Sequence, residues 1–307
     1  MIMIYTVTLN PALDRSFSAE TVEAGVVNRV VPVRDDPGGK GINVAQVLKV
    51  LGRPVCSCVI IGGSTGLSIV SMLDKEGIPT IIGEVKENTR SNFKITNSEG
   101  VTTEFNEAGP SFSADAYEAM TEELFERIEE GDICVISGSV PPGAPEDIYA
   151  ELITALKARG CKTFLDTSGA CLAKGLDAGP YFAKPNASEA GIGESIEEAI
   201  AVADTYIAKG IHSVIISLGS YGAVYRDADG RLMTCAGVKV NPVCTTGCGD
   251  AVTAGFASCV YAGLDPSEAF RYAMACGTAA AVTDGTQSPS PETVARYLEE
   301  IRINILS

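Results

Sequence analysis

Apolar positions along this chain follow two interleaved periods. Short, nearly continuous apolar runs at 3–8, 55–61, 132–137, 162–166, 181–183 and 212–218 read as buried strands. Segments with apolar residues three or four apart read as helices over 65–76, 114–130, 145–159 and 195–209. The same spacing joins Val44, Val47, Leu48 and Leu51, and helical patterns at 251–262 and 266–283 are expected to close the chain. Such strand–helix alternation predicts an α/β fold, a mainly parallel sheet wrapped by helices. After the strand at 212–218, Ser217-Leu218-Gly219-Ser220-Tyr221-Gly222 bends into a hairpin at 223–226 and 231–235.

Two stretches, about 12–36 and 89–107, break that rhythm. Both carry short β-branched runs, and the second turns at Asn97-Ser98-Glu99-Gly100. They predict a small β-sheet projecting from the main body as a lid. Its outer face needs cover, which a second copy of the chain would supply as a homodimer.

Composition narrows the class. The chain of 307 residues is 46% apolar and 20% charged, enough to build a large core. A net charge of −16 argues against nucleic acid and anionic membranes as partners. No apolar run reaches the ~20 residues of a membrane span. The opening Met-Ile-Met-Ile-Tyr-Thr-Val has no basic leader and reads as a strand, so a cytoplasmic protein is expected. The ten cysteines read as reduced thiols, mostly small core residues; Cys56 and Cys58 have no matching second pair for zinc. With His212 the only histidine, proton chemistry must rest on Asp, Glu, Lys or Cys.

The candidate chemistry centres on Thr245-Thr246-Gly247-Cys248-Gly249-Asp250, which leads into the helical pattern at 251–262. Glycines at a helix start can aim several backbone N–H groups at an anion. Asp250 then stands where a base for an attacking hydroxyl would be needed; it could equally be a first-turn helix stabiliser. Gly38-Gly39-Lys40-Gly41-Ile42-Asn43 opens the helix of Val44–Leu51, where Asn43 can cap the helix or bind a hydroxyl. Asp14, in the polar stretch after the first strand, is a candidate hydroxyl ligand or a turn aspartate. Arg90 and Ser139 could meet a phosphate, or be a surface arginine and a turn serine. Asn186 with Glu189 resembles a capping box on a helix, although Glu189 could also hold hydrated Mg²⁺. Neither a P-loop nor a Gly-x-Gly-x-x-Gly after the first strand is present, which disfavours a nucleotide-dependent oxidoreductase.

The two glycine motifs, in this order and with Asn186-x-x-Glu189 between them, resemble the phosphofructokinase B group of ribokinase-like sugar kinases. The likeness runs over essentially the whole chain. It implies a three-layer α/β/α sandwich with a mainly parallel central sheet and a small projecting β-sheet, with residues 1–307 as one kinase domain. It also implies ATP and Mg²⁺. Asp250 becomes the catalytic base, and the amides of Gly247, Cys248 and Gly249 an anion hole. Lys184, Asn186, Ser217, Gly219 and Gly222 would bind ATP, with Glu189 holding Mg²⁺ through water. Asp14, Gly39 and Asn43 would bind sugar hydroxyls, while Lys40, Arg90 and Ser139 would bind the phosphate already on the sugar. The group often has Ala where this chain has Cys248, a change that leaves a backbone N–H role intact.

Thr8-Leu9-Asn10-Pro11-Ala12-Leu13-Asp14 and Thr89-Arg90-Ser91-Asn92 resemble members acting on phosphorylated ketohexoses. The expected reaction is fructose 1-phosphate to fructose 1,6-bisphosphate, with tagatose 6-phosphate as the alternative substrate. A non-catalytic sugar-phosphate sensor is the reading from another class, and it leaves Asp250 without a purpose.

Overall fold

The computed structural model describes residues 2–306. In chain order, β1 (Ile4–Thr8) leads into β2 (Ala12–Ser18) and β3 (Val31–Gly38), then α1 (Lys40–Val50), β4 (Val55–Gly62), α2 (Gly63–Lys75) and β5 (Thr80–Val85). There follow β6 (Arg90–Thr96), β7 (Thr102–Asn106), α3 (Ala114–Arg127), β8 (Ile133–Ser137), α4 (Ile148–Lys157), β9 (Lys162–Asp166) and α5 (Gly169–Asp177). The remainder is β10 (Phe182–Ala183), α6 (Ile196–Ala208), β11 (Ser213–Ser217), β12 (Ala223–Asp227), β13 (Leu232–Cys235), α7 (Cys248–Ala262), α8 (Pro266–Ala281), α9 (Pro291–Glu300) and β14 (Ile303–Ile305).

One ten-stranded sheet runs in the order β14-β13-β12-β11-β10-β9-β8-β1-β4-β5. From β5 to β11 all neighbours are parallel, and β12, β13 and β14 add an antiparallel edge. Strand alternation splits the core in two. Ile4 faces a cluster built from α1, α2, α7, α8 and α9, whereas Tyr5 and Val7 face one built from α3, α4, α5 and α6. This is the three-layer sandwich with a mainly parallel sheet.

The chain leaves β1 toward β4 and β5 and later returns to β1's other side for β8, β9 and β10. A parallel sheet opens a crevice at such a reversal, beyond the carboxyl ends of its strands. Thr8, Ser137, Asp166 and Ser217 end their strands there.

A separate four-stranded sheet, β3-β2-β6-β7, comes from the two stretches that break the rhythm. Asp14 lies inside β2, not in a loop as expected, because β2 pairs with both β3 and β6. Val26 and Val27 precede β3 in irregular chain. Phe17 stacks on Phe93 at 6.3 Å, while Val31, Val33 and Phe105 are exposed.

Four elements escape the periodicity reading: β5, α5, α9 and β14. The helices at 251–262 and 266–283 therefore do not close the chain; α9 and β14 follow them. Nor does Asn186 cap a helix. The capping-box bonds are both made, Asn186 N–H to Glu189 Oε2 at 3.0 Å and Glu189 N–H to Asn186 Oδ1 at 2.9 Å, but they close a turn. Glycines at 191 and 193 keep that turn from propagating.

Candidate active site

The start of α7 is bent by Gly247, whose φ of 84° lies in the left-handed region that a side chain would strain. Gly249 has a different reason for lacking a side chain. A Cβ there would stand 2.9 Å from the Lys184 ammonium, which packs against the turn. Orphan N–H groups of a helix's first turn suit an anion. The Cys248 N–H is partly occupied, donating a long 3.4 Å bond to Thr245 O.

Asp250, in that first turn, is buried and accepts the Asn43 side-chain amide at 2.7 Å. Asn43 thus does not cap α1, a position taken by Gly39. A second buried carboxylate, Asp166, ends β9 behind it. Asp166 binds the Lys40 ammonium at 2.9 Å and the Lys184 ammonium at 3.3 Å, and accepts the Thr253 hydroxyl at 3.1 Å.

These neighbours separate the two acids. Burial pushes the Asp250 carboxyl up to about 6, with the charge of Asp166 adding to the effect; Lys40, the Asn43 hydrogen bond and Lys184 pull the other way. Burial would also raise Asp166, but Lys184 and Lys40 outweigh it and hold that carboxyl below its ordinary value. Burial would lower the Lys40 ammonium, yet Asp166, Asp250 and Glu189 keep it well above its usual range. One carboxylate is held toward its ionised form while the other is pushed toward neutrality, an arrangement suited to acid–base chemistry.

A cavity of about 540 Å³ opens in front of Asp250 and is roofed by the small sheet, with Asp14, Gly39, Asn43, Arg90 and Ser139 in its wall. Four buried polar atoms of its lining residues have no partner: Thr8 Oγ1, Asn10 Oδ1, Asn43 Oδ1 and Asn92 Oδ1. Buried polar groups are rarely left so, and four around one cavity point to a hydroxyl-rich ligand. Arg90 donates to the backbone carbonyls of Asn10 and Glu107, so its charge meets no carboxylate at hydrogen-bond distance. Lys40 is committed to Asp166 and Glu189 at the Asp250 end. Lys40 nevertheless lines this cavity, as Arg90 and Ser139 do.

A second cavity, about 640 Å³, adjoins the first at Asn186, Ser217 and Gly249. Gly219 and Gly222 line it, with Val238, Val240, Val252 and Met274 supplying an apolar wall. Cys248 also lines it. Burial pushes that thiol up to about 11, so it is a poor nucleophile.

Sequence reading gave no role to Asp166, Thr253 or Lys94, and took Asn92 only as part of Thr89-Arg90-Ser91-Asn92. Asp166 carried a usable signal, a carboxylate at the carboxyl end of an apolar strand. Thr253 sits within an apolar helix and carried none.

Residues 7–293 match the family described as pfkB family carbohydrate kinase. The chain belongs to the pfkB family. Among its relatives, a 1-phosphofructokinase of Bacillus subtilis (strain 168) is 36% identical, across 99% of this chain and 100% of its own length. A 1-phosphofructokinase of Haemophilus influenzae is 32% identical across 100% of this chain and 99% of its own. Of solved structures, phosphofructokinase-2 from Escherichia coli in complex with substrates and products superposes with a TM-score of 0.91. It is 29% identical and covers 97% of this chain and 99% of that one. Membership in the pfkB family makes the chain a carbohydrate kinase with ATP as its phosphoryl donor, and removes the oxidoreductase reading.

Proposed function

We propose that this chain transfers the γ-phosphoryl group of ATP to fructose 1-phosphate, forming fructose 1,6-bisphosphate and ADP. The observation that carries the reading is the junction at Gly247–Asp250. There a polar cavity and an apolar-walled one meet beside a buried carboxylate poised near 6, with Arg90 and Lys94 in the roof of the polar cavity. The relatives named 1-phosphofructokinase support this choice of sugar. Tagatose 6-phosphate is the alternative, since it offers the same charge and a comparable hydroxyl set.

In this mechanism Asp250 takes the proton of the attacking hydroxyl as its oxygen bonds to the γ-phosphorus. The bond to the β–γ bridging oxygen breaks, and ADP carries away that electron pair. N–H groups at the start of α7 face the transferred phosphoryl group, and Lys40 and Lys184 offset its charge from behind. Gly219, Gly222 and the apolar wall receive the nucleotide base. Asp14, Gly39, Asn43 and Asn92 hold sugar hydroxyls, and Arg90 and Ser139 the sugar's phosphate.

Mg²⁺ fits this donor set only as a hydrated, phosphate-bound ion. Among the described residues no group of three or more His, Cys, Asp or Glu side chains could hold a metal alone. Glu189, in the wall of the polar cavity, would meet it through water, with Asn186 beside it at the border of the two cavities. When bound, the ion spreads the negative charge of the β- and γ-phosphates.

The small sheet acts as the lid that excludes water, and its face turned away from the cavity, with Phe17, Phe93 and the exposed Phe105, is the one a second copy covers in a homodimer. Ten unpaired thiols suit a cytoplasmic enzyme.

The test is a coupled ADP-release assay with Mg-ATP and fructose 1-phosphate, fructose 6-phosphate, tagatose 6-phosphate or free fructose. At least ~10-fold higher kcat/KM for fructose 1-phosphate, or ~1.4 kcal/mol of transition-state discrimination, is the expected result. A preference for another phosphosugar would replace the substrate, and no turnover with any of the four would favour a sensor.

A further inference from the structure

Side chains alternate across a strand, so Arg90, Asn92 and Lys94 of β6 share one face, and all three line the sugar cavity. Lys94 stands opposite Ser16 of β2 and Glu104 of β7. Its ammonium reaches diagonally to Asp14 Oδ2 at 2.8 Å, with the two side chains only 14% and 8% exposed. The other Asp14 oxygen accepts from Asn92 at 2.8 Å.

Such a bridge could merely staple β2 to β6. Two observations carry it further. A lysine ammonium has three donors, and Lys94 spends one on Asp14, which leaves two for a ligand. The charges in the cavity wall are also unevenly distributed. Lys40 and Lys184 are held by Asp166 at the Asp250 end. In the roof, Arg90 alone would be cancelled by Asp14, and Glu104 at the exposed rim adds a further negative charge. A chain of net charge −16 offers a dianion no general attraction.

We infer that Lys94 is a specificity-determining residue, adding from the small sheet the second positive charge that a phosphorylated ketohexose requires and a free ketohexose does not. This rests on the phosphosugar reading given above. Lys94 neutralises Asp14, so that the carboxylate accepts sugar hydroxyls without repelling the phosphate, and its spare N–H groups donate to the substrate.

The experiment compares wild type, Lys94→Met and Lys94→Arg in steady-state kinetics with Mg-ATP and the ketohexose phosphate that wild type prefers. Thermal unfolding with and without that phosphosugar is measured alongside. Lys94→Met is expected to raise the phosphosugar KM by ~10-fold or more, with kcat within ~3-fold and the ATP KM unchanged. It should also lose the protection the phosphosugar gives against unfolding, while Lys94→Arg retains most of both. An unchanged phosphosugar KM would overturn the assignment, as would a parallel rise in the ATP KM with a lowered melting temperature, the mark of a staple. Failure of the underlying reading looks different: wild type itself would prefer free fructose or turn over no phosphosugar, and both proposals would fall together.

Discussion

Asn43, near the start of α1, donates its side-chain amide to Asp250 Oδ2 at 2.7 Å, joining the two glycine-bearing helix starts across 207 residues of sequence. The bond does two things at once. It orients the carboxylate, and it favours the ionised form of a group that burial pushes toward the neutral one. Asn43 Oδ1 is left without a partner and faces the need for one from a ligand hydroxyl.

Replacing Asp250 by Asn separates chemistry from stability. Turnover should fall by roughly 10²–10⁴-fold, the usual contribution of a general base, with the KM for ATP little changed. Stability should move the other way. The folded carboxyl titrates near 6 against an ordinary value of 3.8, so wild type holds its full stability only below about 4 and loses part of it as pH rises through 6. Asp250→Asn is uncharged throughout. Urea unfolding should find it more stable than wild type at pH 8, by about 1–3 kcal/mol, with the gain largely gone at pH 4. Equal stability at both pH values would mean that Asp250 is not desolvated as described.

The pH–rate profile offers a difference measurement. kcat/KM should fall on the acid side as Asp250 gains a proton. Asn43→Ala removes a hydrogen bond to the ionised form, so its acid limb should lie at higher pH than that of wild type. Comparing the two cancels the titration of the sugar phosphate itself. Coincident limbs would remove Asn43 from the control of Asp250.

Asp166→Asn should displace the limb in the opposite direction, because it removes the like charge behind Asp250. It also leaves the ammoniums of Lys40 and Lys184 without their shared carboxylate. Breaking a buried pair from one side costs about 3–5 kcal/mol, which chemical denaturation would read as a lowered midpoint. A stable variant with an unshifted limb would reduce Asp166 to a spectator.

The sequence by itself determined the layer architecture, the two stretches that form the small sheet, and the turn that presents Asp250. Those features are local: side-chain period sets strand or helix within a few residues, and glycine sets the left-handed bend at Gly247 within one. The misses among elements have local causes too. Strand β14 spans three residues, too little for a period to show, whereas α5 does bury Cys171, Leu172, Gly175 and Leu176 at helical spacing within its nine residues. Helix α9 did announce itself, with Ser290 as a capping residue and Pro291 at its first position.

Only the tertiary structure decided which charges face one another. Asp166 meets Lys40 from 126 residues away, and Asp14 meets Lys94 from 80 residues away, through strand order and register that no local pattern encodes. The same holds for Asn186 and Glu189, whose reciprocal bonds are legible in sequence but close a turn between two cavities. A carboxylate becomes a base near neutrality through desolvation and through the neighbours that burial forces on it. Both are properties of the assembled interior.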